Sequence, residues 1–225
     1  QENLIQNGSF EELDSLPEYP RQVSLAHNWF GFLSPDLFSG FQNPSHQFGV
    51  PCNIAGCALP FQDSSYVGVA TTKGDTPITI GGFHHGECIT QKMKKKLRSG
   101  AKYNFSFQTI QSDTSLGYFE NAFVIFSRDD PKTLLDWQYK LLVAKHSQYF
   151  PFVTDTLNWQ KAEYTFTASG GEQYILFGIL DSVKYFIPYS LPLPPYRGRE
   201  IVTSYYYIDD VRLVELPDTL SSELT

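Results

Sequence analysis

Apolar and polar residues alternate with a period of two over much of the chain. Tyr103, Phe105 and Phe107 alternate with Asn104, Ser106 and Gln108, and Ala162, Tyr164 and Phe166 alternate with Glu163, Thr165 and Thr167. Successive side chains of a strand point to opposite faces, so this spacing predicts half-buried antiparallel strands. Further strands are predicted at Leu4–Ile5, Trp29–Phe32, Tyr66–Ala70, Glu87–Gln91, Ala122–Phe126, Tyr174–Leu180 and Tyr205–Val214, separated by clusters of Gly, Pro, Asn and Asp. Helical signals are confined to a turn around Pro131–Trp137, where Asp129 or Asp130 can cap and Pro131 can take the first position. The expected fold is all-β, with strands enough for a two-sheet sandwich.

The same alternation assigns individual residues. Trp159 opens the strand whose Ala162, Tyr164 and Phe166 face inward, and Trp29 sits in an apolar strand pattern, so both are expected in the core or at its rim. Tyr185 to Arg199 holds Pro188, Pro192, Pro194 and Pro195, which rules out a central strand and predicts an extended loop, either a lid packed by its own side chains or a surface that docks a partner. The run Lys92-Met93-Lys94-Lys95-Lys96 reads as a solvated face or a guarded sheet edge.

Length and composition narrow the possibilities. The chain has 225 residues, which suits one domain, expected over residues 1–216, followed by a polar tail or linker over residues 217–225. Lys and Arg number 17 against 24 Asp and Glu, a net charge of -7, so no nucleic-acid partner is expected. The longest unbroken apolar run, Tyr174 to Leu180, is far short of the roughly 20 residues a bilayer requires, so no transmembrane segment is expected. The chain begins at Gln1 without a basic and then apolar leader, and the expectation is a mature product after signal cleavage.

Cys52 and Cys57 bracket the turn-forming stretch Asn53-Ile54-Ala55-Gly56, which can bring the two within reach of a disulfide. The alternatives are that these and Cys88 are buried thiols, or that they form a zinc site with His84 and His85, although no C-x2-C pair is present. The well-defined catalytic motifs are missing, and the adjacent acids Glu11-Glu12, Asp129-Asp130 and Asp209-Asp210 point to opposite faces of a strand, so none is a dyad in itself. No enzymatic activity is expected.

The two ends of the chain carry the strongest family signal. Asn3-Leu4-Ile5-Gln6-Asn7-Gly8-Ser9-Phe10-Glu11 and Tyr206-Tyr207-Ile208-Asp209-Asp210-Val211-Arg212-Leu213 resemble the first and last strands of galactose-binding-like jelly rolls, a fold common among carbohydrate-binding modules. Trp29, Tyr66-Val67-Gly68-Val69, the spacing from Leu97 through Gly100 to Tyr103, Trp159 and Gly170-Gly171-Glu172 extend the resemblance over nearly the whole chain. More narrowly, the opening, the Gly49-Val50-Pro51 and Asn53 turn and the closing strand look like domains at the N-terminus of outer-membrane-protein-A-like envelope proteins of Gram-negative bacteria. The resemblance implies an all-β, two-sheet antiparallel jelly-roll β-sandwich. It also implies export to the periplasm or cell surface of a Gram-negative bacterium, and a non-catalytic binding module there. Glycan is the first expected partner and an envelope protein, engaged as an accessory subunit, the second; a glycoside hydrolase or lyase ranks last. Trp137, Tyr139, Tyr149 and Tyr196 are the expected ligand platforms, because aromatic faces meet sugar CH groups while their polar tips meet hydroxyls.

In the jelly rolls that the chain resembles, the first strand supplies a Glu and the last an Asp to a structural calcium ion, and these map onto Glu11 and Asp209. Calcium takes six to eight hard oxygen ligands, so carbonyls near Ser9 and before Trp29 would complete the shell. Alternation is expected to put Asp209 on the side of Val211 and Leu213, and Asp210 outward. The alternative is that Asp209 accepts amides of the first strand while Glu11 is a solvated acid.

Overall fold

Two antiparallel sheets pack face to face as a jelly-roll β-sandwich. The computed structural model describes residues 1–73, 85–115, 117–119, 121–134, 147–151, 153–179, 187–188 and 202–217. One sheet runs in the order β1 (Phe30–Phe32), β7 (Cys88–Lys92), β13 (Tyr174–Ile179), β10 (Asn121–Ser127) and β11 (Gln148–Pro151). The other runs β12 (Gln160–Thr167), β8 (Lys102–Gln111), β15 (Val202–Glu215), β5 (Ser65–Lys73) and β2 (Asp36–Ser39), with β6 (His85–Gly86) beside β5. Two short ladders, β3 (Cys52–Asn53) with β4 (Gly56–Cys57) and β9 (Gly117–Tyr118) with β14 (Ile187–Pro188), stand apart.

The alternating residues do what their spacing predicts. Tyr103, Phe105 and Phe107 of β8 and Tyr206, Ile208, Val211 and Leu213 of β15 face Ile89, Val124, Ile175 and Phe177 of the opposite sheet. Phe105 meets Phe177 edge to face with ring centroids 5.0 Å apart. Trp29 is buried with them, 5.1 Å from Phe10, its Nε1 donating to the Asn7 carbonyl at 2.8 Å. Burial of each such side chain stabilises the fold by about 1.5–3 kcal/mol.

Some elements differ from the pattern's forecast. Leu4 and Ile5 are buried but form no strand. Leu4 N–H donates to the Leu213 carbonyl at 2.8 Å, yet the Asn3 side-chain oxygen takes the next donors, Ile5 N–H at 3.1 Å and Leu213 N–H at 2.9 Å, in place of a second backbone carbonyl. Strand β2 went unforeseen because all four of its residues are buried, which erases the alternation. The turn near Pro131 is one 3-10 turn, Pro131–Thr133, capped by Asp130, whose Oδ1 accepts Lys132 N–H at 2.9 Å.

Strand β15 contains a β-bulge. Asp209 pairs with Gln108 but Arg212 pairs with Ser106, so two residues, Asp210 and Val211, stand opposite Phe107 alone. Directly paired residues share a face, which puts Asp209 with Gln108 on the outer side of the sheet, not with Val211 and Leu213 in the core. The extra residue, Asp210, has φ 46°, a left-handed conformation that Asp tolerates better than most residues.

Both sheets also carry apolar residues on their outer faces. Phe32, Cys88, Phe123, Ile125 and Leu176 cluster behind the five-stranded sheet. Behind the six-stranded sheet, Phe38, Tyr66, Ile110 and Tyr207 are roofed by Phe48, Val50 and Ala58. That roof covers one end of the face and leaves the other end open.

Candidate functional site

The open end is a groove of about 570 Å³, within the general range of small-ligand pockets. Its floor is Asn104, Ser106 and Gln108 of β8, Arg212 and Val214 of β15 and Lys161 of β12, with Asp210, Gln1, Phe61 and Gln62 around it. Apart from Val214, these floor residues are the polar halves of the alternating patterns whose apolar halves form the core.

One aromatic, Phe61, lines the wall, and Trp159 braces it from behind. Phe61 is 45% exposed and its ring lies 6.2 Å from that of Trp159 at an interplanar angle of 62°. Trp159 shares the outer face with Lys161 because it is an odd number of residues from the inward Ala162. Its Nε1 donates to the Leu59 carbonyl at 2.9 Å and its ring leans on Tyr66, at 6.1 Å. This half-buried indole is a rim residue anchored by packing and one hydrogen bond.

The cations of the groove are paired. Asp210 Oδ1 accepts Arg212 Nε–H at 2.8 Å, and Glu163 Oε2 accepts from Lys161 Nζ at 2.7 Å. The lysine draws the Glu163 carboxyl below its ordinary range.

Glu11 and Asp209 hold the segment behind Phe61. Asp209 accepts Gln62 N–H at Oδ2 (2.9 Å) and Asp210 N–H at Oδ1 (2.6 Å). Glu11 Oε1 accepts the amides of Ser64 (3.0 Å) and Ser65 (2.7 Å), so it is not a solvated acid, and the amides that Asp209 accepts are not those of the first strand. Burial pushes the Asp209 carboxyl up to about 7, against the pull of its two amides and with help from the Asp210 and Glu11 charges. Burial also raises Glu11, opposed by the Ser64 and Ser65 amides, and Asp63 adds to the rise. Two desolvated carboxylates that repel each other offer the hard, anionic oxygens that calcium prefers. Among the described residues no third His, Cys, Asp or Glu joins them, so carbonyl oxygens or water would complete a shell.

A second acidic cluster lies at β2 and β5. Asp36 Oδ2 accepts from the Tyr205 hydroxyl at 2.6 Å and Oδ1 accepts Arg21 N–H at 2.7 Å. Glu87 accepts Ala70 N–H at 2.7 Å and the Ser34 hydroxyl. Burial drives Glu87 up to about 7, opposed by those two hydrogen bonds and reinforced by Asp36; burial likewise raises Asp36.

Cys52 and Cys57 are joined by a disulfide across the β3–β4 hairpin, with Cα atoms 4.0 Å apart. Asn53 inside the loop donates to the Tyr66 hydroxyl and accepts from that of Tyr207, both at 3.0 Å, which ties the hairpin to the sheet beneath it. Cys88 is buried in the cluster behind the other sheet, remote in register from this hairpin. His84 lies outside the described residues, as do the side chain of His85 and the expected platforms Trp137, Tyr139 and Tyr196. Tyr149 is described: it sits on β11, half buried, with its ring 6.4 Å from Phe123, on the sheet opposite the groove. The structure thus brings Glu11 and Asp209 to one turn but does not bring Tyr149 to the groove. Sequence reasoning missed Phe61, Gln108 and Arg212; the alternation marks the last two as outward, but nothing in the sequence says that their end of the sheet is the one left open.

No protein-family model and no curated protein matches this chain. Among solved structures it is similar to a family 16 carbohydrate-binding module, at 12% identity over 70% of this chain and 81% of the other with a TM-score of 0.34. It is similar to the CBM22-1 xylan-binding domain of Paenibacillus barcinonensis Xyn10C, at 12% identity over 92% and 91% with a TM-score of 0.41. The K1 cleaved adhesin domain of Lys-gingipain from Porphyromonas gingivalis W83 gives 13% identity over 93% and 96% with a TM-score of 0.43. No helix among the described residues is long and apolar enough to cross a membrane.

Proposed function

We propose that the chain is a non-catalytic binding module that takes a glycan in the groove on the outer face of the six-stranded sheet. The observation that carries this reading is the exposed ring of Phe61, braced by Trp159, beside a floor of Asn104, Ser106, Gln108, Asp210 and Arg212. A sugar has apolar CH faces and hydroxyl edges; aromatic rings meet the first, and side-chain amides, which both donate and accept, meet the second. The floor residues stand on adjacent paired strands, so little ordering is required when a ligand arrives. The described lining holds one carboxylate, Asp210, whereas glycoside hydrolysis ordinarily uses two facing across the bond.

Glu11 and Asp209 would hold a structural calcium ion, as the family resemblance implies. Its role would be to neutralise the pair and fix the 62–65 turn that carries the groove wall. The Cys52–Cys57 disulfide supports an exported protein, since such bonds persist in oxidising compartments. The periplasm or cell surface of a Gram-negative bacterium is the compartment that the envelope-domain resemblance favours.

The test is a glycan array followed by calorimetry on Phe61→Ala and on the parent chain. Retention of polysaccharide by the parent, weakened by Phe61→Ala at unchanged melting temperature, is the expected result. An array without a single binder, or a Phe61→Ala protein that binds as the parent does, overturns the reading.

A further inference from the structure

We infer that the groove selects uncharged glycan chains and rejects carboxylated or sulfated ones, an inference that rests on the glycan reading above. The two side-chain cations of the lining are already neutralised from within their own strands. Residues two apart on a strand share a face, and both cations use that spacing: Lys161 donates to Glu163 at 2.7 Å and Arg212 to Asp210 at 2.8 Å. The rest of the floor, Asn104, Ser106 and Gln108, is uncharged.

An anionic ligand at the remaining Arg212 N–H groups would bring its charge against the Asp210 carboxylate that Arg212 already serves. Asp210 adjoins Asp209, which is fully buried and accepts the Asp210 N–H, so the added charge would stand beside two carboxylates at once. The chain's net charge of -7 adds a general repulsion. A neutral hydroxyl pair brings no such repulsion. Arg212 spends its Nε–H on Asp210 and retains its terminal N–H donors, beside a carboxylate with lone pairs to spare, so donor and acceptor stand together as two neighbouring hydroxyls require.

The experiment uses the purified chain and neutral polysaccharides, each paired with its own C6-carboxylated derivative, so that the backbone is constant and only charge differs. Binding is measured by calorimetry at low and at physiological salt, with Asp210→Asn as the variant. The expected result is that the neutral form binds at least about tenfold more tightly than its oxidised partner, and that Asp210→Asn narrows the gap by strengthening the oxidised form, most at low salt. A purely structural role for Asp210 would weaken both forms alike and would leave the gap standing. If the oxidised forms bind as well as or better than the neutral ones, the selectivity is wrong while the glycan reading survives; if neither form of any polysaccharide binds, both fall.

Discussion

Glu11 and Asp209, near opposite ends of the chain, accept backbone amides from one turn: Glu11 from Ser64 and Ser65, Asp209 from Gln62. The two carboxylates thereby fix one turn and support the groove wall at once. Their closeness has an electrostatic cost, since each burial raises a pKa and the Glu11 charge raises that of Asp209 further.

A divalent cation between them would relieve that repulsion. Adding calcium is expected to raise the melting temperature of the chain and excess EDTA to lower it, by about 2.7 kcal/mol of stability at a concentration a hundred times Kd. Glu11→Gln should abolish the response. A melting temperature indifferent to both additions disproves the site.

The Asp36 and Glu87 cluster predicts a second, metal-independent effect, measurable in EDTA. Glu87 rises to about 7 when folded, so between its ordinary range and 7 the folded state holds a proton that the unfolded state has lost. Stability from this group therefore falls as pH rises through that window, by on the order of 3 kcal/mol in all. The parent should melt higher at pH 5.5 than at pH 8, and Glu87→Gln should reduce the slope without abolishing it, because Asp209, also raised to about 7, acts in the same direction. A parent that gains stability steadily from pH 5 to 8 would show that Glu87 ionises without cost.

Two aromatic truncations should separate folding from binding. Trp29→Ala removes a ring packed on Phe10 and Phe177 and is expected to cost about 3–5 kcal/mol in chemical denaturation. Phe61→Ala removes a ring that is 45% exposed and should cost under about 1 kcal/mol while weakening glycan binding. The reverse pattern would mean that the groove is not the ligand site.

The hairpin disulfide closes a short loop, for which the chain-entropy argument gives about 2 kcal/mol. Cys52→Ser with Cys57→Ser should lower stability by that order in urea titrations. Asn53 anchors the same hairpin to Tyr66 and Tyr207, so Asn53→Ala in the disulfide-free background should cost more than in the parent. Additive costs would mean that bridge and anchor act independently.

The alternation of Tyr103, Phe105 and Phe107 against Asn104, Ser106 and Gln108 by itself determined which side chains of β8 enter the core and which stay outside, and the same holds for β12. Local sequence suffices there because a strand has only two faces and water decides between them. The sequence also marked Trp29 as core or rim and allowed a Cys52–Cys57 bridge across a short turn, which the structure forms. It could not place Asp209: the bulge at Asp210 adds one residue, and a single added residue moves everything before it to the other face. Nor could it choose the open end of the outer face. That choice depends on where the 48–58 segment lies over Phe38, Tyr66, Ile110 and Tyr207, a burial of apolar surface between residues distant in sequence. The core was legible because its pattern is local; the groove was not, because it is the part of a face that a distant segment leaves uncovered.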